Sequence, residues 1–276
     1  MSDAHDSQEL LLRAKDISIV FGGLRAVSEF SLDLYNGELV GLIGPNGAGK
    51  TTVFNMLSGI YRPTSGTITF VGRDGMLDII NKKSPAELNR IGIARTFQNI
   101  RLFNSLSVAD NVRIALHQSR TVNPFDVEFR TRKFRKDEKL MMQKAEHLLS
   151  ICKIGNKKTE LAKNLPYGEQ RRLEIARALA SSPKLLLLDE PAAGMNGQET
   201  EELMQMIRFI RAEFKVTVLL IEHDMKLVMG ICERLMVLNY GRVIASGSPA
   251  KIQSDPAVIK AYLGSEYEAA QEGGAQ

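Results

Sequence analysis

A layered α/β fold built on a parallel sheet is predicted for this chain, and three observations predict it. Leu39–Ile43, Leu185–Leu188 and Val216–Ile221 are short, nearly unbroken apolar runs. Such runs fit strands buried on both faces, as in a parallel sheet. Segments with helical spacing alternate with them, the succession that builds α/β layers. The first run also leads through Gly44-Pro45-Asn46-Gly47-Ala48-Gly49-Lys50-Thr51-Thr52 into the helix formers Val53–Leu57. Strand, glycine loop, helix, with Gly44, Gly49, Lys50 and Thr51 at fixed spacing, is the pattern of a phosphate-binding loop.

The elements follow in order. Residues 1–9 are polar and expected to fray. Leu10–Phe21 is strand-like, Gly22-Gly23 turns, and Ala26–Tyr35 alternates apolar and polar side chains. Two such strands before the loop predict an antiparallel β flap beside the main sheet. After the loop helix, Arg62–Gly66 is a turn and Thr67–Val71 a strand. Ser84-Pro85-Ala86-Glu87 and Ser107-Val108-Ala109-Asp110 each open a helix with a capping box. Ile91–Phe97 between them reads as a strand ending at Gln98. Asn123–Lys158 is helical by pattern and highly charged, with Arg130, Arg132, Lys133, Arg135, Lys136 and Lys139 interleaved by Phe125, Phe129 and Phe134. Asp137, Glu138 and Glu146 dilute this cluster and no nucleic-acid motif accompanies it, so a solvated helix face is the preferred reading.

Leu165–Gln170 starts irregularly and leads into a helix whose apolar face is Ile175, Ala176, Leu179 and Ala180. Arg171, Arg172 and Glu174 lie off that face. A helix over Glu199–Phe214, strands over Arg234–Leu238 and Arg242–Ala245, and short helices near Pro249–Gln253 and Pro256–Leu263 complete the pattern. The expected division is an α/β core with its flap over 10–98 and 167–263, a helical subdomain over 99–166, and a mobile tail over 264–276.

The loop's glycines allow the backbone of Gly44, Pro45, Asn46, Gly47, Ala48 and Gly49 to curl so that N–H groups face phosphate oxygens. The helix starting near Lys50 adds its positive end. Lys50 supplies a point charge for the outer phosphates, and Thr51, next to Thr52, a hydroxyl for Mg²⁺. Asp189 ends a buried strand 139 positions after Lys50. Strand ends of a parallel sheet gather on one edge, so Asp189 is a candidate Mg²⁺ holder and Glu190 a candidate to orient or deprotonate water. His223, at another strand end, is the histidine placed to bond a γ-phosphate. Gln98 fits either a metal or water ligand or a polar strand stop. Phe21 fits either a ring stacked on a purine or a core or turn phenylalanine.

The 276-residue chain is 44% hydrophobic and 25% charged, with net charge +4, a composition with room for a large core. That mild excess does not indicate nucleic acid. Cys152 and Cys232 form no C-x-x-C pair, which excludes the common zinc and redox patterns and fits a reducing cytosol. The N-terminus lacks signal-peptide order, and the apolar runs fall short of the ~20 residues that span a bilayer. If the protein serves a membrane process, another chain provides the passage.

Taken in order, Phe21, Gly44–Thr51, Gln98, Leu165–Gln170, Leu185–Asp189 with Glu190, Ala193–Asn196 and His223 resemble the motifs of ATP-binding-cassette (ABC) nucleotide-binding subunits. The resemblance covers about residues 10–263. It implies a RecA-like P-loop NTPase core (the ABC ATPase fold) acting on ATP with Mg²⁺ held by Thr51, Gln98 and Asp189. Phe21 would stack on adenine, Glu190 would be the catalytic carboxylate, and His223 the γ-phosphate switch. Two subunits would pair head to tail, with Tyr167, Gly168 and Glu169 closing the other's site.

Two departures stand out. Leu165-Pro166-Tyr167-Gly168-Glu169 replaces the usual Leu-Ser-Gly-Gly-Gln, so Pro166 offers neither hydroxyl nor N–H. Asn196 replaces the usual Asp. Tyr167–Arg177, Asp189–Gly194, Ile221–Met225 and Ala261–Gly264 narrow the resemblance to the larger ATPase of bacterial branched-chain amino acid importers. That implies a second ATPase subunit, two transmembrane permeases, a periplasmic binding protein reached indirectly, and a peripheral place on the cytoplasmic face of the inner membrane. Asn99–Leu106 is expected to form part of the permease groove, with Arg101 and Phe103 as contacts. No nucleic acid is expected. The alternatives are a lipopolysaccharide-type export cassette and a soluble ATPase acting on ribosome or DNA.

Overall fold

The computed structural model describes residues 9–117, 129 and 131–262. The expectations for His5, for Phe125 and Arg130 in the basic cluster, and for the 264–276 tail lie outside these residues. Strands β1 (Leu10–Phe21) and β2 (Leu24–Tyr35) form a hairpin. β3 (Leu39–Ile43) leads to α1 (Lys50–Leu57). β4 (Ser65–Val71) and β5 (Leu77–Ile79) join the hairpin as an antiparallel sheet of order β2-β1-β4-β5. The antiparallel flap therefore has four strands, and β5, three residues long with every side chain exposed, left no alternation to read.

α2 (Pro85–Ile91) carries the full capping box of Ser84 and Glu87 and ends on Gly92, whose φ of 117° closes the helix in the left-handed region. The expected strand over 91–97 is accordingly shorter. Ile91 belongs to α2, and β6 is only Ile93–Arg95. Gln98 lies three residues beyond its end. α3 (Val108–Leu116) is capped by Ser107, and α4 (Arg132–Ile151) and α5 (Tyr167–Ala180) pack with it. Then come β7 (Leu185–Asp189), α6 (Gly197–Phe214), β8 (Thr217–Ile221), α7 (Met225–Ile231), β9 (Arg234–Asn239), β10 (Arg242–Gly247) and α8 (Pro249–Gln253), with residues 256–262 also helical.

The main sheet has the order β10-β9-β3-β8-β7-β6, parallel except for β10. All five residues of β3, β7 and β8 are buried. The strand period of two splits them between two cores. Leu39, Ile43, Leu186, Leu188, Val218 and Leu220 pack on the helices of one side. Val40, Leu42, Leu185, Leu187, Leu219 and Ile221 pack with α1 and the antiparallel sheet on the other. At about 1.5–3 kcal/mol for each fully buried aliphatic side chain, these strands anchor the molecule. Their carboxyl ends deliver Gly44, Asp189 and Glu222 to one edge.

Candidate functional site

The loop between β3 and α1 is held by its own backbone. Gly49 caps α1 with φ 101° and Gly47 sits at φ 75°. A Cβ on Gly44, at φ 149°, would stand 2.0 Å from the Leu238 carbonyl oxygen. These positions require glycine, as the phosphate-loop reading expects. The Lys50 ammonium is buried and donates to the carbonyls of Gly44 at 2.7 Å and Pro45 at 2.9 Å. Burial pushes its pKa down, while Glu190 and Asp189 act in the opposite direction. A mobile cation thus rests on the loop's own carbonyls, within the field of two carboxylates.

Asp189 is 2% exposed. Its Oδ2 accepts from Arg95 Nη2 at 2.7 Å, and its N–H donates to Thr96 Oγ1 at 3.3 Å. Arg95 also donates to Asn55 Oδ1 and Ser58 Oγ of the loop helix region, each at 2.7 Å. It lies over the Phe54 and Phe97 rings. Arg95 was not among the residues singled out from sequence, because an arginine in a short strand carries no pattern.

Glu190 leaves the sheet with φ 45°, a conformation costly for a residue with a Cβ and concentrated at functional sites. Its Oε2 accepts from Gln98 Nε2 at 3.1 Å and lies 3.9 Å from His223 Nδ1. The structure therefore brings Gln98, Glu190 and His223 together. The His223 side chain is 64% exposed, open to a ligand in front of the sheet edge.

Phe21 ends β1 and is 42% exposed, its ring edge-on to Tyr61 at 5.2 Å between centroids. The core role is thereby excluded; the ring stands at the surface directly before the Gly22-Gly23 turn, in an aromatic pair. Tyr61, whose contribution follows only from the fold, is its partner.

The Tyr167–Glu169 stretch is the first turn of α5, with Pro166 as N-cap and no side-chain cap. Tyr167 Oη accepts from Arg171 Nη2 at 2.9 Å, and Glu169 pairs with Lys157 at 2.7 Å. A Cβ on Gly168 would lie 2.9 Å from Glu199 Oε1, and one on Gly194 3.3 Å from the Tyr167 ring. Asn196 forms a reciprocal capping box with Glu199 at the start of α6. Asparagine is as good a cap as aspartate, so the departure leaves the start of α6 capped.

Arg171 and Glu174 lie off the apolar face, yet they are 2% and 5% exposed. Arg171 Nη1 donates to the Phe97 carbonyl at 2.5 Å and to Glu174 Oε2 at 3.2 Å, and Nη2 donates to the Gln98 carbonyl. Glu174 Oε1 accepts from the N–H of Phe97 at 3.2 Å and of Arg101 at 3.4 Å. Burial raises the Glu174 carboxyl, against these donors and Arg171, which lower it. The ion pair is buried because the loop after β6 covers it. Beside that loop lies a cavity of about 370 Å³ lined by Phe97, Arg101, Phe103, Ile114, Glu174 and Arg177 among others. Arg101 lies over the Phe97 ring and Arg177 over that of Phe103.

Thr51, Gln98 and Asp189 present oxygen donors suited to a hard cation such as Mg²⁺. Among the described residues no group of three His, Cys, Asp or Glu is placed to hold a metal.

The ABC transporter family model matches residues 27–193, and the branched-chain amino acid ATP-binding cassette transporter model matches 242–268. The chain is 46% identical over 254 residues to the high-affinity branched-chain amino acid transport ATP-binding protein LivG of Escherichia coli (strain K12), covering 92% of this chain and 98% of that one. It is 36% identical to the lipopolysaccharide export system ATP-binding protein LptB of Acidithiobacillus ferridurans, covering 94% and 98%. Among solved structures, the ADP conformation of MJ1267, an ATP-binding cassette of an ABC transporter, is similar with a TM-score of 0.79 at 30% identity, covering 93% and 99%. A nucleotide-free ATP-binding cassette from an ABC transporter is similar with a TM-score of 0.77 at 29% identity, covering 92% and 99%.

Proposed function

This chain belongs to the ABC transporter family of ATP-binding-cassette ATPases, and from that premise we propose that it hydrolyses ATP to power uptake of branched-chain or related hydrophobic amino acids. The observation that carries the chemistry is the convergence of Gln98 and His223 on the Glu190 carboxylate, at the edge where Lys50 is buried. The backbone N–H groups of the glycine loop and the start of α1 bind the phosphates. Lys50 exchanges the Gly44 and Pro45 carbonyls for phosphate oxygens. Thr51, Gln98 and Asp189 hold Mg²⁺, which when bound neutralises charge on the phosphates. Glu190, positioned by Gln98, orients water and takes its proton. His223 donates to the γ-phosphate and senses its departure. Phe21 stacks on adenine.

The other half of the site comes from a second ATPase subunit through Tyr167, Gly168 and Glu169. With Pro166 in place of serine, that contact relies on Gly168 and the N-terminal end of α5, a 14-residue helix. Residues 99–166 act as the helical subdomain. The arginine-lined cavity, with Arg101 and Phe103 at its wall, takes a segment of a permease subunit. No helix among the described residues is long and apolar enough to cross a membrane. Two permease chains provide the passage in this reading, with a periplasmic binding protein beyond them and this chain on the cytoplasmic face of the inner membrane. Importer function is favoured over lipopolysaccharide export by the higher identity to LivG than to LptB and by the C-terminal family match.

The test is Glu190→Gln in the transporter complex. Nucleotide binding is expected to persist while steady-state ATP hydrolysis falls by about a hundredfold or more, the scale of losing a catalytic base. Wild-type turnover would sink the role of Glu190. Absence of permease chains from complexes isolated in detergent would sink the transporter reading.

A further inference from the structure

Glu222 has no part in the chemistry above, yet it is 1% exposed while the adjoining His223 side chain is 64% exposed. His223 Nδ1 lies 3.9 Å from Oε2, beyond hydrogen-bond distance. The carboxylate is met by backbone instead. Oε1 accepts the Ala192 N–H at 2.8 Å, and Oε2 accepts the His223 N–H at 3.2 Å. An acid this buried costs several kcal/mol unless such donors compensate it, so each bond matters to its neighbours.

The place of these bonds is informative. β7 and β8 run in register to Asp189 opposite Ile221, and the Glu190 N–H bonds the Ile221 carbonyl at 3.0 Å. There the backbone ladder ends and two loops depart, one through Glu190 to Asn196, the other through His223. The Glu222 side chain supplies the next rung, one oxygen to each loop.

We propose that Glu222 is a positioning residue that fixes His223 against Glu190 by tying the switch loop to the loop that follows Glu190. The inference rests on the roles assigned above to Glu190 and His223. Glutamine at this position has the same shape but offers one acceptor and an NH₂. That NH₂ would face the N–H of Ala192 or of His223 and open one rung.

A double-mutant cycle on steady-state ATPase in the intact complex tests this. Glu222→Gln is expected to lower kcat about tenfold and leave the KM for ATP within about twofold, the signature of a lost transition-state interaction. On a His223→Ala background the same change is expected to lower kcat by less than about twofold, because residues acting as a unit are not additive. Losses that multiply in the double variant would overturn the inference, as would an unchanged kcat in Glu222→Gln. Wild-type turnover in His223→Ala would instead overturn the switch reading on which the inference stands. Should Glu222→Gln fail to fold by thermal melting, Glu222→Asp, whose carboxylate is one methylene too short to span the Ala192 and His223 N–H groups together, opens a rung in the same way and runs the same cycle with the same criteria.

Discussion

Two loops meet at the site and are held in opposite ways. The phosphate loop is made by its own chain. Lys50 bonds back to Gly44 and Pro45, the Ala48 N–H to the Pro45 carbonyl, and the Gly241 N–H to the Ala48 carbonyl. The loop after β6 is held otherwise in its first half, residues 97–102, and backbone bonds return only from Phe103, whose carbonyl accepts the Leu106 N–H, and Leu106, whose carbonyl accepts the Ala162 N–H. Up to Thr96, whose N–H bonds the Leu187 carbonyl, the chain belongs to the sheet. From Phe97 onward it is held by side chains of α5 and α3. Arg171 and Glu174 take Phe97, Gln98 and Arg101, Arg177 takes the Arg101 carbonyl, and buried Asn111 takes Phe103, Leu106 and Ser107. The first loop is fixed by conformation, the second by borrowed hydrogen bonds. Allegiance changes at one peptide, Thr96 to Phe97. A shift of α5 against the sheet would therefore carry the Gln98 backbone with it, while Gln98 Nε2 bonds Glu190 across the divide.

Arg171→Met strikes the borrowed loop where it is strongest and carries the largest expected effect. It leaves Glu174 buried without its cation and frees two carbonyls, a loss of about 3–5 kcal/mol in denaturant unfolding. ATPase is expected to fall by about tenfold as Gln98 loses its hold. Arg171→Lys keeps the charge but not the fork, so it should recover stability more than activity. Unchanged unfolding and turnover in Arg171→Met would break the comparison.

Gly44→Ala strikes the other loop. Its Cβ would meet the Leu238 carbonyl at 2.0 Å, and a backbone carbonyl cannot swing aside as a side chain can. The expected loss is about 2–3 kcal/mol, the range for overpacking a close-packed site. Nucleotide affinity should drop with it in a titration. Wild-type affinity would show that the loop is not conformationally fixed.

The same contrast explains what could be read from the sequence. Information for the phosphate loop is local: an apolar run, glycines at set spacing, a helix start. The capping box of α2 and the Ser107 cap of α3 are local too, and their helices lie where the caps place them. The second loop is specified by residues about 70 positions away, such as Glu174 for Phe97 and Arg171 for Gln98. Arg171 departs from the apolar stripe of its helix, and only the covering loop buries it. Glu222 and Arg95 were invisible for the same reason, since their partners lie on loops and strands distant in sequence. Gln98, Glu190 and His223 could be found because each stands at or just beyond a strand end, where parallel strands gather function.

Asn111→Ala carries the smallest expected effect and separates the two ends of the borrowed loop. The Asn111 amide, fully buried, accepts the Phe103 N–H at 2.9 Å and donates to the carbonyls of Phe103 at 3.1 Å and Ser107 at 3.0 Å. Removing it leaves the Phe103 N–H without that partner, while the Phe103 and Ser107 carbonyls keep the Leu106 and Asn111 N–H groups, a destabilisation of about 1–2 kcal/mol once local relaxation is allowed. Those groups lie five or more residues past Gln98, and Arg171 with Glu174 still hold Phe97, Gln98 and Arg101. Basal ATPase is therefore expected to stay within about twofold while unfolding shifts. The Phe103 wall of the cavity loosens at the same time, so stimulation of ATPase by the permease should weaken although the basal rate does not. A basal rate that falls as far as in Arg171→Met would mean that the whole segment from Phe97 to Ser107 positions Gln98 as one body, rather than its first few residues alone.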